Sequence, residues 1–472
     1  MGKASRLFNG QAEHTLYERV TPTTSQREFL QEQWNELADH LKAKLTERGY
    51  PVTTWLQGSY KYGTLIKPVH PGEEYDVDLG IYFDWDPKAA DITPTAQQLR
   101  TWVQRELLAF KLGHPAVKDV ADPPKERCSR AVYAKRFHID TPTYHLDSKR
   151  DKRKLATLSD QWEDSDPKAI YKWFKGVVSG DEREQLRRLI RYLKAWAAIA
   201  FETAPDSRPS SIVLTVLVAN IYSDEMWLQR LGRLDDDDAL ITVIKEMHKR
   251  LNKDRDVPNP VNAKESLNRI PAEAWGAFLT RLQLLREAAE SAEAAEDEAA
   301  AALAWSEALT YLMPLPETDV VEVTDPSSTT ALMQIPEVKI EVATDWSFKN
   351  ILQTHRNEVP GVAKGQCLRF TIINPQIIPA MAMIEWTVRN EGSDADYLGD
   401  LGHARGGMQM FTVNEGTKYA GRQYMDLTVR CNGSVYAARR IAVLVEDRPL
   451  LQKSKATPRA WTTLRSRKGR RR

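Results

Sequence analysis

The sequence predicts an α/β (α+β) protein in three parts: a mixed-sheet part, a helical part and a β-sandwich-like C-terminal part. Three observations predict it. Strand and helix patterns mix over the first 180 residues, where Val77, Leu79, Ile81 and Phe83 alternate as one buried strand face. From about residue 165 the apolar spacing becomes helical. After a stretch rich in Pro, Thr, Asp and Ser at about 316–336, short strand-like runs take over. A chain of 472 residues is too long for one core. The expected boundaries are 1–180, 181–320 and 336–449, with a disordered basic tail at 450–472.

The elements follow in order. Ser25-x-x-Glu28 reads as a capping box opening an amphipathic helix with Leu30, Trp34, Leu37, Leu41 and Leu45 on one stripe, closed by Gly49. A strand from Val52 to Leu56 leads into a Gly58-Ser59 turn and a brief helix near Tyr60–Leu65. Asp76 to Phe83 is a buried strand, Thr95 to Leu112 a helix, and Ala131 to Tyr144 strand again. Leu186, Leu189, Ile190, Leu193, Ala197 and Ala200 recur at helical spacing, and Ile212 to Ile221 continues as an apolar helix. Asp235 to Asp238 precede another helix, and 277–312 has strong helix composition. Beyond the linker, strand-like runs cover Leu368–Ile373, Met383–Val388, Met410–Val413, Met425–Arg430 and Ser434–Val445, with Asn432-Gly433 as a hairpin turn.

Composition removes several function classes. Apolar content of 42% and charged content of 28% are those of a globular protein, and a net charge of +1 gives no global pull toward nucleic acid or anionic lipid. Cys128, Cys367 and Cys431 form no C-x-x-C pair, which fits a reducing compartment. No apolar run is long enough to span a bilayer and the first residues carry no apolar h-region, so the expectation is a cytoplasmic protein with no membrane partner. The histidines lack zinc spacing, and neither a P-loop nor a nucleophile elbow occurs.

The chemistry-bearing stretch is Gln57-Gly58-Ser59 followed by Tyr75-Asp76-Val77-Asp78. Strand side chains alternate, so Asp76 and Asp78 project to the same side. Two unpaired carboxylates in an otherwise apolar strand cost several kcal/mol of desolvation, which a divalent cation relieves. Gly58 permits close backbone approach, and Ser59 adds a hydroxyl donor near a helix start that suits a phosphate. Asp140, in His138-Ile139-Asp140 on a separate strand, is the candidate third acid, as metal ligand or proton acceptor. His138 reads as a supporting side chain. Lys194, and Ser210 after Pro209, are candidates for gripping a triphosphate.

With these residues in place, the chain resembles the nucleotidyltransferase superfamily of polymerase beta and the oligoadenylate synthases, whose pattern is G-S, D-x-D and a distant D. The string from Gln57 to Leu65 is especially similar to the bacterial cyclic GMP-AMP synthase (cGAS/DncV-like) branch, as are Ser165-Asp166-Pro167-Lys168-Ala169, Leu193-Lys194-Ala195-Trp196 and Pro209-Ser210-Ser211-Ile212. Trp386 to Gly392 and Glu415 to Gly421 resemble the adenylyl/guanylyl-cyclase and SMODS-associated C-terminal sensor domain. The resemblance implies a polymerase-beta-like palm in which Asp76, Asp78 and Asp140 hold two Mg²⁺ (or Mn²⁺). Gly58, Ser59, Lys194 and Ser210 then bind nucleotide. It implies a cyclic di- or trinucleotide synthase of bacterial anti-phage signalling that takes ATP, GTP or other nucleoside triphosphates. Its effector would be reached through the product, and the C-terminal domain would take a nucleotide or a protein as ligand. A linear-product or RNA-directed nucleotidyltransferase, and a non-catalytic nucleotide sensor, remain the alternative readings.

Overall fold

The computed structural model describes residues 2–12, 15–70, 72–88, 93–134, 137–225, 235–314, 320–321, 335–431 and 434–447. Two short helices, α1 (Ser5–Asn9) and α2 (Leu16–Val20), precede the long α3 (Thr24–Thr46). The start of α3 corrects the sequence reading. The N-cap is Thr23, paired in a capping box with Gln26, not Ser25 with Glu28. Both pairs fit the same spacing pattern; the earlier one satisfies the free N–H groups and gives the helix two more residues.

The first sheet holds β1 (Val52–Gln57), β2 (Tyr75–Asp84), β3 (Val117–Val120), β4 (Cys128–Tyr133), β5 (Phe137–Asp147), β6 (Lys152–Ala156) and β7 (Trp162–Asp164). Its order is β1-β2-β5-β4-β3, with β6 added to β5 and β7 to β6. The strand expected over 131–144 is two antiparallel strands, β4 and β5, and this break sets the register of Arg130 opposite Asp140. Between β1 and β2 lies α4 (Gly58–Tyr62), and α5 (Ala96–Gly113) follows β2. Leu37 and Leu41 from α3 and Leu99 and Val103 from α5 pack on Val77, Ile81, Phe83 and Ile139, all buried. That core occupies one face of the sheet and leaves the Asp76 face for other uses.

The helical part comprises α6 (Pro167–Val177), α7 (Gly180–Ala200), α8 (Ser211–Glu225), α9 (Asp236–Lys253), α10 (Ala272–Ala294) and α11 (Glu298–Leu309), with a small hairpin of β8 (Pro258–Asn259) and β9 (Asn262–Ser266). The helix composition of 277–312 is divided between α10 and α11, because the chain leaves helical geometry at Ala295 and Asp297 caps the next helix. Ala4, Leu7 and Phe8 of the N-terminal segment lie in this helical core beside Tyr192 and Trp305.

The C-terminal part is a sandwich. One sheet takes β10 (Val320–Val321), β13 (Val359–Ala363), β15 (Met383–Arg389), β16 (Gly402–Met408), β18 (Gly421–Cys431) and β19 (Ser434–Glu446). The other takes β11 (Val338–Ala343), β12 (Ile351–Arg356), β14 (Cys367–Ile372) and β17 (Thr412–Gly416), and α12 (Ser393–Leu398) is inserted between β15 and β16. Ile340, Phe370, Trp386, Leu427 and Ile441 close the core between the sheets. The Asn432-Gly433 turn and the basic tail lie outside the described residues. Among the described residues, no helix is long and apolar enough to cross a membrane.

Candidate functional site

Asp76 and Asp78 stand two residues apart on β2, so the pleat turns both to one face. Parallel pairing of β2 with β5 puts Asp140 directly beside Asp78 in register, and His138 beside Asp76. Oxygens of Asp76 and Asp140 and a ring nitrogen of His138 all lie within 4.8 Å of one another. Asp140, more than sixty residues further along the chain, thus lies beside Asp76 and Asp78, and His138 rather than Asp78 joins Asp76 and Asp140 in the tightest group.

Their surroundings differ sharply. Arg130 grips Asp140 twice, Nε to Oδ1 at 2.6 Å and Nη2 to Oδ2 at 2.8 Å, and Lys125 approaches at 3.4 Å. Burial pushes the Asp140 carboxyl up, but the Arg130 hydrogen bonds and charge outweigh it and hold the group below the usual range. His138 bridges Glu74 at 2.8 Å and Asp76 at 3.0 Å. Burial lowers the imidazole; the two carboxylates reverse that and favour its charged form.

Asp78 receives no hydrogen bond among the described residues. Burial first, then the negative charges of Asp76 and Asp140, push its carboxyl up to about 8. It lies against the Gly58 backbone so closely that a Cβ at position 58 would fall 1.9 Å from its Oδ2. Gly58 also has φ +57, left-handed geometry that glycine adopts without strain. The Gly-Ser turn is therefore shaped around the Asp78 carboxylate. A half-buried, donor-poor carboxylate flanked by two more acids is a donor set suited to a hard divalent cation.

The turn is braced from below. Gln57 Nε2 donates to the Tyr82 hydroxyl at 2.8 Å, and the Tyr144 hydroxyl donates to Gln57 Oε1 at 3.2 Å. The Gln57 amide occupies the space over Gly80, where a Cβ would meet Nε2 at 2.0 Å. Tyr82 and Tyr144 stack with ring centroids 4.7 Å apart.

Beside the acids opens a cleft of about 280 Å³ bordered by Ser59, Lys67, Glu74, Asp76, Lys194 and Arg208. Lys194 is buried and donates to the Thr64 carbonyl at 2.8 Å. Burial, then the neighbouring Arg191, lowers its ammonium to about 7. Ser210 is exposed and immediately precedes α8, its carbonyl accepting from Leu214; the next residue, Ser211, is the one that borders the cleft. The expected candidates Asp76, Ser59 and Lys194 thus border the cleft, Asp78, Asp140 and Gly58 sit at its acidic end, and Ser210 stands at its edge.

Sequence reasoning missed Arg130, Lys125, Glu74, Lys67 and Arg208, and undervalued His138. One signal was readable. Had Cys128–Tyr133 and Phe137–Asp147 been read as two antiparallel strands with Tyr133 opposite Phe137, the pairing would have put Arg130 opposite Asp140. Arg208 and Lys67 carry no local pattern, because only the packing of the helical part on the palm brings them to the cleft.

A mixed sheet that brings Asp76, Asp78 and Asp140 together beside a Gly-Ser turn, with Lys67, Lys194 and Arg208 and the acids Glu73 and Glu74 around the adjoining cleft, suits the binding of a polyphosphate together with a cation. Residues 52–144 match the family described as cyclic GMP-AMP synthase DncV-like, nucleotidyltransferase domain, and residues 320–446 match the adenylyl/guanylyl and SMODS C-terminal sensor domain. One chain thus carries a match to each of these two domain types. A cyclic GMP-AMP synthase of Escherichia albertii is 29% identical over 416 residues, covering 87% of this chain and 89% of that protein. A c-di-GMP synthase of Roseivirga ehrenbergii is 24% identical over 258 residues, 48% of this chain and 62% of that one. The Vibrio cholerae DncV cyclic AMP-GMP synthase, solved with the linear intermediate pppA(3',5')pG, superposes with a TM-score of 0.54 at 18% identity, over 66% of this chain and 96% of that one. That last likeness bears on the fold alone.

Proposed function

We propose that this protein joins two or three nucleoside triphosphates, ATP and GTP first among them, into a cyclic oligonucleotide of the cyclic GMP-AMP kind, with release of pyrophosphate. The observation that carries the reading is Asp78: a half-buried carboxylate without a hydrogen-bond donor among the described residues, crowded by Asp76 and Asp140 beside a cleft that Lys67, Lys194 and Arg208 border. The names of the relatives above support the product class. Two Mg²⁺ ions, or Mn²⁺ in their place, would be held by Asp76, Asp78 and Asp140. When bound they supply charge neutralisation at the attacking hydroxyl and at the leaving pyrophosphate.

The chain's own residues do the rest. Lys194, Lys67 and Arg208 attract and orient the triphosphate, and Ser59 offers its hydroxyl to a phosphate oxygen. Gly58 keeps the turn close to Asp78 so that the phosphates and the acids meet. Asp140, held ionised by Arg130, accepts the proton of the attacking ribose hydroxyl. His138, held by Glu74, fixes Asp76. A second transfer within the linear product closes the ring. A role in bacterial anti-phage signalling, through an effector that binds the product, rests on the resemblance of the chain to its relatives.

The test is pure protein with all four nucleoside triphosphates and Mg²⁺. Pyrophosphate release and a phosphatase-resistant product are expected, with the product mass giving bases and ring size. A chelator should stop the reaction, and Mg²⁺ or Mn²⁺ should restore it. A phosphatase-sensitive product would point to the linear reading instead. No pyrophosphate under any condition, phage extract included, would overturn the proposal.

A further inference from the structure

One buried guanidinium ties together three parts of the molecule that function would otherwise keep apart. Arg19, on α2, is 6% exposed. Its Nη2 donates to the Tyr311 carbonyl at 2.9 Å and to the Leu401 carbonyl at 3.1 Å, and its Nη1 lies 3.4 Å from Glu391. Tyr311 closes the helical part just after α11; Leu401 and Glu391 flank the α12 insertion of the C-terminal sandwich. A buried arginine is costly unless its donors are met, so a fork spent on two separate carbonyls specifies their spacing.

Both ends of this tie lead to the substrate cleft. The Tyr311 hydroxyl donates to the Val69 carbonyl at 3.0 Å and lies 3.3 Å from His70 Nδ1. The residue after Arg19, Val20, accepts the Lys67 amide at 2.8 Å. Glu73 in turn accepts the Val69 and His70 amides. The cleft wall from Leu65 to Glu74 thus hangs from Val20, Tyr311 and its own Glu73. At the other end, Gln423 clamps Glu391 by both main-chain groups, at 2.8 and 2.9 Å. Gln423, Asn390 and Asp400 also border a cavity of about 60 Å³ between the two sheets of the sandwich. Arg389 reinforces the joint: it pairs with Asp426 and donates to the carbonyls of Thr310 and Met313.

We propose that Arg19 is a positioning residue through which the C-terminal sandwich sets the shape of the nucleotide cleft, so that the two are thermodynamically coupled. This rests on the nucleotide reading of the cleft given above. Coupling is reciprocal: whatever shifts Glu391 and Leu401 changes nucleotide affinity, and nucleotide binding stabilises the 389–401 segment.

The experiment is amide hydrogen exchange on the full chain, with and without a mixture of non-hydrolysable ATP and GTP analogues and Mg²⁺. Protection is expected at residues 65–75 and also at 389–391 and 399–401. In Arg19→Ala the 65–75 response should persist and the 389–401 response vanish. The KM for nucleoside triphosphate should rise about fivefold or more, while kcat stays within about twofold, a split that mere loss of stability would not give. If Arg19→Ala does not fold, Tyr311→Phe, which removes only the hydroxyl reaching Val69 and His70, carries the same test. Protection at 65–75 of the wild-type chain without any at 389–401, or a C-terminal response that survives both substitutions, would overturn the coupling and leave the cleft reading intact. Absence of protection at 65–75 would remove the cleft reading, and the coupling with it.

Discussion

Asp78 and Asp236 both sit in dense acidic clusters, yet only Asp236 is supplied with donors. Arg188 grips it at 2.6 and 2.8 Å, and the Tyr192 hydroxyl and Gln185 amide add bonds at 2.9 and 3.2 Å. Its neighbour Asp237 accepts the Ala4 amide at 2.8 Å, and Asp235 accepts the Gly2 amide at 3.3 Å. This cluster opens α9, where acids also complement the helix dipole. Asp78 has the opposite environment: half-buried, repelled by two acids and given no hydrogen bond among the described residues. Acidic density is therefore a poor marker of function. The informative quantity is the gap between buried charge and the partners the fold provides for it.

The comparison breaks most sharply by substitution. Asp78→Asn should lower pyrophosphate release by about 10³-fold or more, since metal-centred charge stabilisation is worth several kcal/mol. The metal-free protein should melt no lower than wild type, because burial and the two neighbouring acids already hold the Asp78 carboxyl largely in its neutral form, which Asn resembles in shape. Turnover within tenfold of wild type would contradict the role given to Asp78. Asp236→Asn should do the reverse. Arg188 loses its counter-charge in a buried site, and stability should fall by about 3 kcal/mol, read by urea unfolding. Turnover per folded molecule should stay within about twofold.

Gly58→Ala sharpens the same contrast from the backbone side. The new Cβ meets the Asp78 carboxylate and the left-handed φ adds about 1–2 kcal/mol of strain. A displaced Asp78 should lower turnover by about 10²-fold, while the melting temperature falls by only a few degrees.

The smallest effect is expected at Asp237. Burial, only partly offset by the Ala4 amide, raises this carboxyl to about 6. The unfolded chain releases that proton near pH 4, so the folded state loses stability as pH rises from about 4 through about 6. Asp237→Asn should match wild type near pH 4 and exceed it by about 1–3 kcal/mol above pH 7. Melting curves at both pH values test it; equal stability at pH 7 would show that the Asp237 charge is fully compensated.

How far the sequence reached follows from how local each signal was. Gly58, Asp76 and Asp78 stand within one turn and one strand, and the period of two places both acids without any knowledge of the sheet. Asp140 was legible as an acid on a second predicted strand that could pair beside the first. Arg130, which holds Asp140, was not, since its place depends on how two strands register after a short break. Strands β12 and β16 went unread for a related reason. The first is exposed along nearly its whole length and the second carries three glycines, so neither shows alternation. The start of α3 slipped because two capping patterns overlap within the six residues from Thr23 to Glu28.

The void at Gly80 has a consequence for how this chain can vary. Position 80 is empty so that the amide of position 57 can lie across it and reach two tyrosines from neighbouring strands. The letters at 57 and 80 are therefore chosen together, although 23 residues separate them. A methyl at 80 is admissible only with a shorter side chain at 57, and the tyrosine hydroxyls would then need water in place of the amide. Aligned sequences should show these two columns changing in step or not at all.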